Sequence, residues 1–473
     1  MPILCLKDAR TATLLALALA LLYAAAAPRL AAAAWSPALT ITAGNPQLAE
    51  PTIGFGANGR AVVSARMTTE AQGVPSRGFS RLFGQQPDGS FAGRARIVLA
   101  APPALYGQTR LALLRMPLAQ GDMTIGDLEH PQTSLGYSFG RSGGTLEVVP
   151  GAYRRLTTRA DRSETAIAAN SRGDAIAVWV EHLRGRDHLV AAVRRAGARF
   201  GRPAVIGGSG YFTSPAAAVS ARGDLLVAYQ RSVSRRGHTP ERRVEARVRR
   251  AGHSWGSPQR LGASSGFSQI SAATAPDGSM VVGWGTQDLG EEADTPWIVR
   301  AAVRAGGSRP HVFHSAQQLE SGEGVERPAG RVVAAITPDA TATVAWSGIT
   351  GRSHPHAYPA RVATNGPSWR FGAATTLAPS AAVQDAAADG EGTTMVVWAT
   401  LPQAGNNQTT DQVFASVKAP RAAAFAAPPE PVSPPERATL PRAAFDPVTN
   451  RPAVVWISRG AGPQTLRFSA RTG

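Results

Sequence analysis

Residues 164–208 read ETAIAANSRGDAIAVWVEHLRGRDHLVAAVRRAGARFGRPAVIGG. Four short apolar runs are separated by turns. Ala166–Ala169 reads as a first strand, Ser171-Arg172-Gly173-Asp174 as a tight turn, and Ala175–Val180 as a second strand carrying Trp179. Leu189–Arg194 is a third strand, Ala196-Gly197 a hairpin turn, and Pro203–Ile206 a fourth strand. Gly, Asn and Asp mark such turns because they tolerate left-handed backbone. Four antiparallel strands in about 50 residues make one blade of a β-propeller.

The rest of the chain repeats this stretch. Gly173/Trp179, Gly223/Tyr229, Gly278/Trp284, Gly392/Trp398 and Asn450/Trp456 each place a turn residue six positions before an aromatic. Ala340/Trp346 and Gly59/Ala65 keep the offset with one member replaced. From Trp179 onward the aromatics step by 50, 55, 62, 52 and 58 residues, which is blade length. The expected fold is all-β: a single β-propeller of four-stranded antiparallel blades. Eight blades are expected, near 49–100, 101–163, 164–213, 214–266, 267–327, 328–381, 382–437 and 438–473. Seven is the alternative, if 101–163 is an inserted excursion. WSPALTITAG, starting at Trp35, begins like a fourth strand, and the chain stops after LRFSARTG. The N-terminal strand is therefore expected to complete the C-terminal blade, removing an exposed sheet edge. No sustained 3.6-residue apolar period occurs beyond the N-terminus, so almost no helix is expected. The proline-rich run 428–435 reads as a loop inside the seventh blade.

The pattern A-x-x-x-x-G-x-A-x-V-W followed by V-R-R-A-G-x-x-[FW] resembles the repeats of secreted bacterial β-propeller proteins, actinobacterial ones especially. A hairpin shared by Gly197/Phe200, Gly252/Trp255 and Gly366/Trp369 also resembles the Asp box of sialidase-like propellers. Arg195, Arg250 and Thr364 stand where the box has aspartate, and Val193, Val248 and Val362 replace its serine. No Arg-Ile-Pro motif is present. The resemblance implies a fold, with sialidase-type glycoside hydrolysis as the alternative function.

Residues 1–34 read as a signal peptide and 35–473 as the propeller domain. Lys7 and Arg10 precede the apolar run Thr11–Ala27, and Ala32-Ala33-Ala34 offers a small-residue cleavage site. The protein is thus expected to be secreted or at a bacterial cell surface, with no membrane span after cleavage. Cys5 is the only cysteine, so the mature chain is expected to hold no disulfide, no thiol nucleophile and no cysteine-bound zinc. The formal charge is +17, with 49 Lys+Arg of which only Lys7 and Lys418 are lysine. Such a surface favours acidic polymers. The expected partners are an anionic glycan, a cell-wall polymer or another protein, with no specific nucleic acid, and the chain is expected to be a monomer.

In a propeller the loops entering the first strands open on one face and gather one position from every blade. Counting fifteen residues back from each repeat marker lands on Glu50, Glu164, Ser214, Gln269 and Arg331, and one residue short of Gln384 and Arg442. These seven are the candidate ligand-binding ring. Two carboxylates could do acid–base glycosidic chemistry and two arginines could hold a carboxylate. The main expectation is a binding or interaction module without catalysis, cofactor or metal. A sialidase would also need a tyrosine nucleophile, and Tyr106, Tyr137, Tyr153 and Tyr211 are available.

Other patterns read as structure. The marker aromatics are expected between blades rather than as sugar platforms. Two Arg-Gly-Asp triplets, at 172–174 and 222–224, occupy first turns. Gly262-Ala263-Ser264-Ser265-Gly266 matches G-x-S-x-G but lacks the following helix of a nucleophile elbow. His311/His314 and His354/His356 have no carboxylate cluster nearby. Arg243, Glu245, Arg247 and Arg249 alternate with apolar residues, as on a strand with a solvated outer face.

Overall fold

The computed structural model describes residues 34–42, 47–55, 58–68, 78–98, 111–112, 123–128, 134–139, 154–157, 160–170, 172–183, 186–196, 198, 200–233, 240–264, 268–287, 297–307, 312–322, 330–348, 358–366, 368–401, 411–459 and 463–472, with backbone alone at some strand positions. Residues 1–33, Gly197, His311, His354, His356, Ser265, Tyr106 and Tyr153 lie outside these residues, as does the side chain of Tyr137, so the expected signal peptide at 1–34 falls almost wholly outside them.

Among the described residues all regular structure is β, arranged as antiparallel four-stranded sheets. The first sheet runs Gln47–Phe55, Ala61–Thr68, Gly78–Gln85, Phe91–Val98, and the second runs Leu111–Ala112, Met123–Leu128, Ser134–Phe139, Arg154–Thr157. The third and fourth are joined, because Ala204–Val219 is the outer strand of one and the first strand of the next. Three further sheets start at Ser268–Thr274, Val333–Ile336 and Ala381–Ala388. The last runs Ala438–Phe445, Pro452–Ser458, Thr465–Thr472, and both Ala34–Trp35 and Leu39–Thr42 pair onto Thr465–Thr472.

Several second strands carry a continuous apolar run rather than a strict alternation. Ala175–Val180, Ala342–Ser347 and Pro452–Ser458 are buried at every position. A strand covered on both faces needs apolar side chains on both, and here neighbouring sheets supply the cover. Val281, Val299 and Val303 of one sheet pack with Val344 and Trp346 of the next. Met395 and Val397 pack with Val454 and Trp456. Ile41, Val63 and Phe83 pack with Val455, Leu466 and Phe468, so the first sheet lies against the last. First strands sit side by side from Ala160–Ala169 through Ala438–Phe445, which in turn neighbours Gln47–Phe55.

Tyr229, Trp284, Trp346, Trp398 and Trp456 occupy these interfaces, while Trp179 packs with Val190 and Ala192 of its own sheet. Trp179, Tyr229, Trp284, Trp346 and Trp456 have no exposed surface, and Trp398 retains 1%, which excludes them as sugar platforms. Two of them belong to a polar staple. Trp346 Nε1 donates to Glu320 of the preceding sheet, whose carboxylate pairs with Arg361 at 3.2 Å. Trp456 Nε1 donates to Glu436 at 2.9 Å, and Glu436 also takes Ser458 Oγ and Arg467. Arg361 and Arg467 are the cross-strand partners of those tryptophans. Trp35 repeats the arrangement with Glu430 and Arg471. The carboxylate satisfies an indole N–H that burial would otherwise orphan.

Two expectations are corrected. The 428–435 run is not merely a loop, since Glu430–Pro431 pairs with Phe414 and Ala415 as an outer strand. Proline is admissible there because an outer strand has no further neighbour needing its missing N–H. Glu245 is also not solvated: it is 2% exposed and lies 3.7 Å from Arg231, with Arg243 beside it. Burial first, then the Glu245 charge, pushes the Tyr229 phenol far above its ordinary range.

Candidate functional site

The candidate ring positions lie on or beside first strands, and at five of the seven the strand register is irregular. Pairing shifts between Ala49 and Thr52, Ala160 and Thr165, Thr213 and Ala216, Val383 and Asp385, and Thr439 and Arg442. A bulge leaves a residue unpaired and re-aims its neighbours. Three of the bulges contain X-Pro: Glu50-Pro51, Ser214-Pro215 and Leu440-Pro441. A proline costs no ladder bond at such a point. Ser214 and Leu440 take φ of 51° and 53° there.

Glu50 lies on Gln47–Phe55 and Glu164 on Ala160–Ala169, both at these irregularities, but only their backbone is described. Ser214 is half-buried. Its neighbour Thr213 donates to Gln230 Oε1 at 2.6 Å, and Gln230 donates to Ser264 Oγ at 2.8 Å. Ser264, from the G-x-S-x-G match, is thus a buried hydrogen-bond partner on the strand Gln259–Ser264.

The other four positions are stitched together. Gln269 Nε2 donates to Gly330 O at 3.1 Å, and Gln269 Oε1 accepts from Val332 N at 3.1 Å. Its amide therefore grips the main chain on both sides of Arg331. Arg331 N donates to Val383 O at 2.7 Å. Gly330, at φ 92°, makes this approach possible: a Cβ there would sit 2.4 Å from Val383 O. Arg442 Nη1 donates to the carbonyl of Gln384 at 2.6 Å. Gln384 itself contributes that carbonyl from within the bulge.

Asp385 is the residue that counting from the repeat missed. Its Oδ2 accepts Ala443 N at 3.0 Å, joining two sheets, and its Oδ1 accepts Ala386 N at 3.0 Å. Desolvation raises its carboxyl above the ordinary 3.8, opposed by Arg442, by these two N–H groups and by Arg331. Two guanidinium groups therefore act on one partly desolvated carboxylate. Arg331 is exposed, while Arg442 and Asp385 are half-buried. Among the described residues no group of three or more His, Cys, Asp or Glu is placed to hold a metal ion.

The direction of the Asp385 shift sets a pH dependence. A carboxyl with a raised folded-state pKa stabilises the fold most below 3.8 and loses that contribution as pH rises through the raised value. Asp385→Asn removes the contribution. Its destabilisation relative to the parent should therefore be larger at pH 4 than at pH 7, as urea denaturation at the two pH values would show. An equal loss at both would contradict the assignment.

No known protein-family model matches the chain, and no curated protein sequence does. Among solved structures, the polysaccharide lyase Uly1 is similar with a TM-score of 0.43 at 10% identity, over 95% of each chain. The NanB sialidase from Streptococcus pneumoniae gives 0.40 at 9% identity, over 92% of this chain and 71% of that one. A Dyadobacter fermentans protein of unknown function gives 0.37 at 13% identity, over 66% of this chain and 94% of its own. The likeness is distant and concerns architecture.

Proposed function

We propose that the protein is an exported β-propeller of eight blades, closed by its N-terminal strand, that binds an acidic glycan or cell-wall polymer where its first strands begin. The pairing of Ala34–Trp35 and Leu39–Thr42 with the last strand supports the closure. Among the described residues, five separate four-stranded sheets, a seven-stranded sheet made of two units that share a strand, and a last sheet of three strands extended by two N-terminal segments support the count. The N-terminal Lys7/Arg10 and apolar run support export from a bacterial cell, and the protein acts as a monomer.

The observation that carries the binding reading is that Arg331 and Arg442 are each tied to the strand end that carries Asp385, Arg331 N through Val383 O and Arg442 Nη1 through Gln384 O. The Asp385 carboxylate is already engaged by main-chain N–H groups, one from each of two sheets. It is therefore occupied as a structural acceptor rather than poised as an acid or base. The exposed Arg331 and half-buried Arg442 lend this rim positive charge suited to an anionic ligand group, which guanidinium recognises through paired N–H donors. Gln269 fixes the backbone on either side of Arg331, so the exposed guanidinium is carried on a held segment.

The test is calorimetric titration with oligogalacturonate and with a neutral oligosaccharide of equal length. The acidic sugar should bind and the neutral one should not. Arg331→Ala should weaken binding at least tenfold, about the 1.5–3 kcal/mol of a charged hydrogen bond. Indifference to the carboxylates, or to Arg331→Ala, would overturn the reading. Turnover of a glycoside, abolished by Glu50→Gln or Glu164→Gln, would replace it with sialidase-type hydrolysis.

A further inference from the structure

The opposite ends of the first strands carry a second concentration of charge. A cleft between the third and fourth sheets is lined by Arg172, Arg194, Arg195, Arg222, Arg249 and Arg250, with Asp174 as its one carboxylate. It lies over the two Arg-Gly-Asp turns, and Gly173 and Gly223 take φ of 100° and 89°. The turns pack directly: a Cβ on Gly223 would meet Asp174 Oδ2 at 3.2 Å.

Asp174 is committed to holding this junction. Its Oδ1 accepts Ala196 N at 3.0 Å, and its Oδ2 accepts Asn170 Nδ2 at 3.0 Å and pairs with Arg172 at 3.4 Å. Buried Arg194 donates to Ala198 O and Gly173 O and serves the hairpin. Arg172, which pairs with Asp174, and Arg195, Arg222 and Arg250 present exposed side chains. They come in pairs from two sheets, so the positive edge spans the junction. The field reaches further: desolvation first lowers the proton affinity of Arg304, with Asp224 opposing and Arg250 adding to the depression.

The repeat geometry does not demand these arginines. The cleft at the first turn and hairpin of the single sheet that starts at Val333–Ile336 is lined by Asp339, Ala340, Thr341, Asn365, Gly366 and Trp369, with no arginine. The same turn architecture is thus built without cationic residues. Like charges gathered within a Debye length of about 8–10 Å repel each other, and a bound polyanion relieves that repulsion. Tetrahedral oxyanions suit guanidinium forks, and a ligand with successive phosphates can reach the arginines of both sheets.

We propose that this cleft is a second binding site, for an oligophosphate chain, separate from the rim around Arg331 and Arg442. The experiment is calorimetric titration of the full chain with sodium tripolyphosphate, and with citrate as a carboxylate of similar charge. Arg195→Gln/Arg222→Gln should weaken tripolyphosphate binding at least tenfold. Arg421→Gln/Arg451→Gln removes the same charge from exposed positions elsewhere, and should change binding less than twofold. Unchanged melting temperatures will show that both variants fold, and Arg172→Gln/Arg250→Gln provides an independent pair from the same cleft. Equal weakening by the remote pair would reduce the effect to the net charge of +17 and overturn the proposal. Absence of tripolyphosphate binding, or cleft-dependent citrate binding of equal strength, would overturn it as well.

Discussion

Trp456→Ala is expected to cost about 3–5 kcal/mol of folding stability, the scale of truncating a fully buried tryptophan. The indole has no exposed surface and packs between Met395 and Val397 on one side and its own sheet on the other. Its removal opens a void between two sheets, and the packing there cannot close without moving a whole sheet. The substitution also strips one donor from Glu436, which keeps Ser458 and Arg467 as partners. Trp456→Phe should recover much of the packing but not the hydrogen bond, and so fall between the two. Urea denaturation followed by far-ultraviolet circular dichroism measures both. A loss under about 0.5 kcal/mol for Trp456→Ala, as for an ordinary surface change, would contradict the inter-sheet role.

Deleting residues up to Thr42 should be as damaging. Leu39–Thr42 pairs with Leu466, Arg467 and Phe468, and Ala34–Trp35 pairs with Arg471 and Thr472. Ser36 adds hydrogen bonds to Ser469 and Ala470, and Trp35 reaches Glu430 at 2.9 Å. Without this segment, Thr465–Thr472 becomes an exposed edge next to buried Leu466 and Phe468, and unpaired edges invite aggregation. The shortened chain should melt at a markedly lower temperature and aggregate with rising concentration. A synthetic peptide covering residues 34–46 should restore the melting temperature in trans. A truncated chain as stable as the parent would show that the pairing contributes nothing.

The sheets were legible because one local rule recurs. A turn glycine six residues before an aromatic fixes the first hairpin, and the aromatic must then be buried. The continuity of Ala204–Val219 across two sheets was less visible. Gly207 and Gly208 look like a break in the sequence, whereas the backbone continues through Gly208 at φ 69°. The hydrogen bonding around the candidate ring was less legible. Counting backward assumes uniform pairing, which holds at Gln269, where the strand pairs without a shift. At the Val383/Asp385 bulge the count fell on Val383, and the next polar residue, Gln384, was taken while Asp385 was passed over. The recurring X-Pro at Glu50, Ser214 and Leu440 was the signal for those bulges. Glu245 misled for another reason: alternation reports which face a side chain takes, not whether that face meets water. Arg231 and Arg243 cover it.

The most direct test of the central claim joins binding and turnover in one sample. Oligogalacturonate is titrated into the full chain and into Arg331→Ala, and the sugar is recovered for mass analysis. The account predicts saturable binding by the parent, at least tenfold weaker binding by Arg331→Ala, and sugar recovered intact. Cleaved sugar, or equal affinity in the two proteins, would contradict it.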